Sequence, residues 1–224
     1  MNNYKLIILD FDGTLCATHE AILFCIKKAY EIQGKAIPNH DFSDETIRAG
    51  LGMESTLKTL SPELSDSELQ KLLTTYEAIY LKEGEQKSAP FSKADEVLAK
   101  LHTAGLILTV VSNKAVAAVN AALENFNLSR YISMVVGDTK ALRKKPDPMA
   151  YTEFLKPKYP SIPPHEILMV GDTPADLLFA QNIGADSCWA EYGYGDAKAC
   201  RALKPKYTIR HLTDILAIFN LTLE

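Results

Sequence analysis

A short apolar run, Tyr4-Lys5-Leu6-Ile7-Ile8-Leu9, stops at Asp10-Phe11-Asp12-Gly13-Thr14-Leu15, and this junction narrows the folds open to the chain. The run is rich in isoleucine and leucine and almost wholly apolar. That pattern fits a strand buried on both faces better than one with a wet side. Its carboxyl end delivers two carboxylates one residue apart. In open α/β sheets that edge is where ligands bind. Two neighbouring buried carboxylates are costly unless a cation or a reaction uses them. Gly13 allows a sharp turn beside them. The plain alternative is a strand-ending turn, for which Asp and Gly are ordinary residues. What the rest of the chain places nearby decides between the two.

From Ile107 onward, strand patterns alternate with helical ones. Ile107–Val111, Ile132–Val136, Ile167–Val170, Ser187–Ala190 and Tyr207–Ile209 read as strands. Between them, Ala94, Val97, Leu98 and Leu101 form one helical stripe, and Val116, Val119, Leu123 and Phe126 form another. Ser92 has the spacing of a capping-box start for the first of these helices. A further helix is expected over Pro174–Ile183, with Gly184 at its end, and a last one over His211–Phe219. Alternation of this kind implies right-handed crossovers and a parallel sheet covered on both faces. The segment from Cys16 to about Lys87 breaks the rhythm. It holds no convincing strand, only stripes such as Ala21-Ile22-Cys25-Ile26-Ala29 and Leu69-Leu72-Leu73-Tyr76-Tyr80, with shorter helices over Asp44–Ala49 and Glu54–Leu60. It is too long for one crossover. The expected architecture is therefore α/β: a Rossmann-like parallel-sheet core with helices on both faces, from residues 1–15 and 88–224. A small α-helical cap, residues 16–87, is inserted over the Asp10/Asp12 edge.

Composition removes several function classes. A net charge of −4 and no long basic run argue against a nucleic-acid partner. No apolar stretch is long enough to span a bilayer, and the first residues lack the pattern of a signal peptide. Cys16, Cys25, Cys188 and Cys200 show no C-x-x-C spacing, so reduced thiols and a cytoplasmic location are expected. The histidines form no zinc pattern.

Three more loops fall at expected strand ends. Ser112-Asn113-Lys114 offers a hydroxyl and backbone N–H groups at an expected helix start, an arrangement suited to an anion or to simple capping. Lys144-Lys145-Pro146-Asp147-Pro148 places positive charge on a stiffened backbone, where the plain alternative is a solvated loop. Gly171-Asp172-Thr173-Pro174-Ala175-Asp176 puts one carboxylate at a strand tip and a second on a starting helix, where capping alone is a competing role. Together, several carboxylates at one sheet edge favour a hard divalent cation such as Mg2+, which joins carboxylates to substrate phosphate. A lysine and main-chain amides suit phosphate oxygens, and a carboxylate can accept a phosphoryl group.

Four motifs in this order resemble the haloacid dehalogenase-like hydrolase superfamily: Asp10-Phe11-Asp12-Gly13-Thr14, Ser112-Asn113, Lys145-Pro146-Asp147-Pro148 and Gly171-Asp172-Thr173-Pro174-Ala175-Asp176. The resemblance covers essentially the whole chain. It implies Asp10 as nucleophile and Asp12 as general acid and base. Ser112, Asn113 and Lys145 would sit at the substrate phosphate. Asp10, the Asp12 carbonyl and Asp172 would be ligands of Mg2+, and Asp176 would act indirectly through water or Lys145. The second aspartate favours phosphate-ester hydrolysis over dehalogenation. Met53 stands where β-phosphoglucomutase-like members carry a cap arginine. Asn113-Lys114, the small cap and Tyr192-Gly193-Tyr194-Gly195 look phosphoglycolate phosphatase-like. The implied activity is hydrolysis of a small phosphorylated metabolite. Pyrophosphatase, nucleotide phosphatase, sugar phosphomutase and an idle binding or regulatory module remain as alternatives. Arg48 and Lys58 would either meet a second anionic group on the substrate or lie solvated on helices. The sequence leaves the physiological substrate and the oligomeric state open.

Overall fold

The computed structural model describes residues 3–139 and 141–223. Six parallel strands form the central sheet: β1 (Leu6–Leu9), β4 (Ile107–Ala115), β5 (Ile132–Asp138), β6 (Ile167–Gly171), β7 (Asp186–Ala190) and β8 (Tyr207–Ile209). Their spatial order is β5-β4-β1-β6-β7-β8. β1 pairs with β4 on one side (Leu9 opposite Val110) and with β6 on the other (Leu9 opposite Val170). The chain builds outward first to one side of β1 and then to the other, so the crevice of the sheet opens at the carboxyl end of β1.

All four residues of β1 are buried, as a central strand covered on both faces requires. The period of two then divides the core. Ile7 and Leu9 join Leu108, Val110, Leu168 and Val170 under α5 (Ala94–Thr103) and α6 (Val116–Asn125). Leu6 and Ile8 join Met169 on the opposite face, under α8 (Pro174–Ile183) through Phe179, Ala180 and Ile183. That second face is completed by a wide helical turn, Ala150–Leu155, which runs into α7 (Lys156–Lys158). α9 (Ala197–Ala202) precedes β8, and α10 (Ile215–Ile218) ends the regular structure.

Between β1 and β4 the chain forms α1 (His19–Ile32), α2 (His40–Arg48), α3 (Met53–Leu60) and α4 (Asp66–Ile79). This segment has its own apolar cluster, which includes Ile26, Tyr30, Leu57, Leu72 and Tyr76. A capping box of Ser65 and Glu68 starts α4. The chain enters through β2 (Cys16–Ala17) and leaves through β3 (Ala89–Pro90), and these two short strands pair antiparallel with each other. Both crossings are therefore tied together at one point. All four cysteines are buried and unpaired.

Three local expectations are corrected. Ser92 does not cap α5: Lys93 occupies the N-cap position in the left-handed region (φ 63°), and no side chain caps the helix. β4 does not stop at Val111 but runs to Ala115, because Ala115 pairs with Asp138 across a register shift. The Ser112 loop is therefore extended backbone, and α6 begins only at Val116. The closing helix is split into a tight turn, Leu212–Asp214, and the four residues of α10.

Candidate active site

β1 carries Asp10 to the sheet edge, where its N–H bonds the Val170 carbonyl at 2.9 Å. β6 ends beside it and places Asp172 there, 1% exposed. Asp176 follows in the first turn of α8 and is fully buried. Oxygen atoms of Asp10, Asp172 and Asp176 lie within 4.8 Å of one another. Lys145 reaches into this group. Its ammonium donates to Asp10 Oδ1 at 2.7 Å, to Asp176 Oδ1 at 2.6 Å and to the Val111 carbonyl at 2.7 Å. Those three bonds use all the donors a lysine has. Lys144, its neighbour, stays at the rim and pairs with Asp138 at 3.0 Å.

Each carboxylate is fixed by its surroundings. Asp172 accepts from the Thr14 hydroxyl at 3.1 Å and from the Tyr194 N–H at 2.8 Å. Asp176 accepts from the Thr173 N–H at 2.9 Å and its hydroxyl at 2.7 Å, which closes a capping box on α8. The backbone comes so close to Asp172 that side chains do not fit. A Cβ on Gly13 would lie 2.3 Å from Asp172 Oδ2, and one on Gly193 would lie 2.2 Å from the Asp172 Cβ. Gly13 also has φ +77°, which other residues adopt only with strain.

The electrostatics follow from burial. Burial pushes the Asp10 carboxyl up to about 7, with Lys145 pulling it down and Asp176 pushing it up. Burial, reinforced by the charges of Asp10 and Asp176, holds Asp172 well above the usual carboxylate range. Burial works against the charge of Lys145, but Asp10 and Asp176 more than reverse that and raise it. Three buried carboxylates thus lie around one buried ammonium, which bonds two of them, Asp10 and Asp176. An all-oxygen donor set with excess negative charge fits a hard divalent cation such as Mg2+.

Asp12 lies outside this knot. Its side chain is 25% exposed, and Oδ1 accepts from Lys114 Nζ at 3.0 Å. A cavity of about 280 Å3 opens in front of Asp10 and Asp12. Ser112 and Lys114 border it from the sheet side, and Ile22, Met53, Leu73 and Tyr80 from the helical segment. The turn between α2 and α3 rests on the sheet edge. Asn113 donates from Nδ2 to the Gly50 carbonyl at 2.8 Å, and Arg48 donates to the Tyr194 carbonyl at 2.8 Å.

The residues expected at the site from sequence are therefore brought to one edge, with differences of detail. Asp10, Asp172, Asp176 and Lys145 form the buried knot, and Ser112 is buried beside the cavity. The Asn113 amide is committed to main chain: Oδ1 accepts from the Lys145 N–H at 2.8 Å, while Nδ2 holds Gly50 and the Lys145 carbonyl. It braces two loops and, like the carboxylates, lines the cavity. Arg48 is engaged with Asp44 and the Tyr194 carbonyl, and Lys58 is exposed away from the cavity lining. Lys114, Thr14 and Thr173 lie within the motifs read from sequence, which assigns their side chains no role, and Tyr80 is read there only as part of a helical stripe. Lys114 had a signal, since it stands two residues after Ser112 on the same strand end.

Comparison with known proteins places this geometry. The haloacid dehalogenase-like hydrolase family matches residues 7–190. A phosphoglycolate phosphatase of Vibrio vulnificus is 30% identical over 220 residues, covering 96% of this chain and 95% of its own. One of Vibrio cholerae is 29% identical, covering 97% and 98%. The crystal structure of a predicted phosphoglycolate phosphatase from Haemophilus somnus superposes with a TM-score of 0.88 at 26% identity, covering 98% of this chain and 99% of that one.

Proposed function

This chain belongs to the haloacid dehalogenase-like hydrolase family, and from that premise we propose that it is a Mg2+-dependent phosphatase of small phosphomonoesters, of phosphoglycolate type. The observation that carries the reading is the division of labour between the two carboxylates of the Asp10-Phe11-Asp12 turn. Both border the cavity, but Asp10 is buried and locked against Lys145, whereas Asp12 is a quarter exposed and paired with Lys114. That division suits Asp10 to attack and Asp12 to move a proton.

Asp10 attacks the substrate phosphorus and takes the phosphoryl group. Lys145 keeps Asp10 oriented and, with Ser112, meets the phosphate oxygens. Because its three donors are already used, Lys145 must exchange one bond when phosphate arrives. Asp12 donates a proton to the departing ester oxygen and then takes one from the water that hydrolyses the aspartyl-phosphate. Asp10, the Asp12 carbonyl and Asp172 would hold Mg2+, and Asp176 would act through Lys145. When bound, Mg2+ supplies charge that lets an anionic nucleophile approach an anionic phosphoryl group. Residues 16–87 act as a cap that keeps bulk water from the reacting atoms.

Phosphate release from phosphoglycolate, pyrophosphate, nucleoside monophosphates, sugar phosphates and an aryl phosphate tests this reading. Mg2+-dependent turnover of a small phosphomonoester that Asp10→Asn abolishes supports it. Turnover that survives Asp10→Asn contradicts it.

A further inference from the structure

Lys114 is a cation at the leaving-group side of the cavity that the reading above leaves without a task. Its ammonium lies 3.0 Å from Asp12 Oδ1 and 3.8 Å from the centroid of the Tyr80 ring, and its side chain is 10% exposed. Among the described residues, Asp12 is the only carboxylate that forms an ion pair with it. The other nearby cations are occupied. Lys145 is spent on Asp10, Asp176 and the Val111 carbonyl, Arg48 on Asp44 and the Tyr194 carbonyl, and Lys144 on Asp138. Among the described residues that line the cavity, the basic side chains are Lys114 and Lys145.

The distances suit one kind of leaving group. Asp12 must come within about 2.6–3.2 Å of the ester oxygen to give it a proton. Added to its separation from Asp12, that puts Lys114 Nζ within about 6 Å of the ester oxygen when Oδ1 is the oxygen that serves. With bonds of about 1.5 Å, a carboxylate on the ester carbon holds its oxygens about 3–4 Å from that oxygen. One further hydrogen bond closes the gap to Lys114. The apolar walls of Ile22, Met53 and Leu73 thin the competing water, so charge counts for more. A neutral group at this place leaves the ammonium without a second anion, and a cationic group is repelled.

Resting on the phosphatase reading, we propose that Lys114 determines specificity. It receives a carboxylate borne on the ester carbon and so selects small phosphorylated hydroxy acids over neutral and cationic esters of the same size.

Three two-carbon substrates test this with Mg2+: phosphoglycolate (anionic), 2-hydroxyethyl phosphate (neutral) and 2-aminoethyl phosphate (cationic). The native protein is expected to prefer the anionic over the neutral ester by about 10- to 100-fold in kcat/KM, with the cationic ester last. Lys114→Met should collapse that ratio to within a few-fold, mainly through KM for phosphoglycolate, and Lys114→Arg should retain most of it. If Lys114 serves only Asp12, Lys114→Met lowers all three by the same factor, and that result overturns the inference. A flat native series, with all three hydrolysed, also overturns it while the phosphatase reading stands, whether or not Lys114→Met folds. Release from none of the three by the folded protein overturns the inference, and the phosphatase reading falls with it only if the wider panel above also gives no release.

Discussion

The sheet edge and the helical segment above it meet at one cavity, yet they are built on opposite principles. The sheet side is a closed polar knot, in which Asp10, Asp172, Asp176 and Lys145 are all buried, Lys145 bonding Asp10 and Asp176 while Thr14 and the Tyr194 N–H hold Asp172. Glycines at 13 and 193 let backbone press against Asp172 with no room to spare. The helical side presents Ile22, Met53, Leu73 and Tyr80, and it touches the sheet edge through a few hydrogen bonds such as Arg48 to the Tyr194 carbonyl. The reacting groups are thus held rigidly, while the wall that meets the leaving group can repack or shift. Chemistry is fixed on one side and selection is adjustable on the other.

Perturbing the knot should cost most. Asp10→Asn removes the proposed nucleophile with little change in shape, and turnover should fall by about 10³-fold or more while circular dichroism stays native. A fall of less than tenfold would take the chemistry away from the knot. Lys145→Met leaves three buried carboxylates without a counter-charge, and thermal or denaturant melting should show a loss of about 3–5 kcal/mol in metal-free buffer. Gly13→Ala must place a Cβ at φ +77° and against Asp172, so we expect about 2–4 kcal/mol of destabilisation together with weakened Mg2+ binding.

The raised carboxyls give a pH signature of opposite sign to most acidic groups. Asp10, raised to about 7, binds more protons in the folded than in the unfolded chain between about pH 4 and 7. Its contribution is present at low pH and lost as pH rises through 7, and the raised Asp172 acts in the same direction. Metal-free protein should therefore lose roughly 1–3 kcal/mol from these groups between pH 5 and 8, as read from melting curves. Mg2+, which needs the ionised forms, should restore more stability at pH 8 than at pH 6. Equal restoration at both would contradict the account. The smallest effect is expected on the adjustable side. Arg48→Ala removes one hydrogen bond between α2 and the Tyr194 loop, and steady-state kinetics should show KM rising a few-fold with kcat nearly unchanged.

The same contrast explains what the sequence could reveal. β1, the alternation after Ile107 and the four loops at strand ends depend on local pattern, so the sheet and its reactive edge were legible. Lys93 at the start of α5 was not, because a left-handed lysine has no local signature and Ser92 next to it looks like a cap. The extension of β4 to Ala115 depends on pairing with Asp138, which only the assembled sheet provides. The Asn113 amide is engaged by Gly50 and Lys145, both distant in sequence. Lys114 stands in a motif the sequence shows, but its contacts with Asp12 and Tyr80, from two other parts of the chain, exist only in the assembled fold.

The central claim is that the phosphoryl group passes through Asp10. The direct measurement is mass spectrometry of protein quenched in acid during turnover with Mg2+ and phosphoglycolate. The account predicts one phosphoryl group on the peptide containing Asp10, absent from Asp10→Asn and lost when turnover is allowed to finish. Steady phosphate release with that peptide unmodified at every quench time would contradict it.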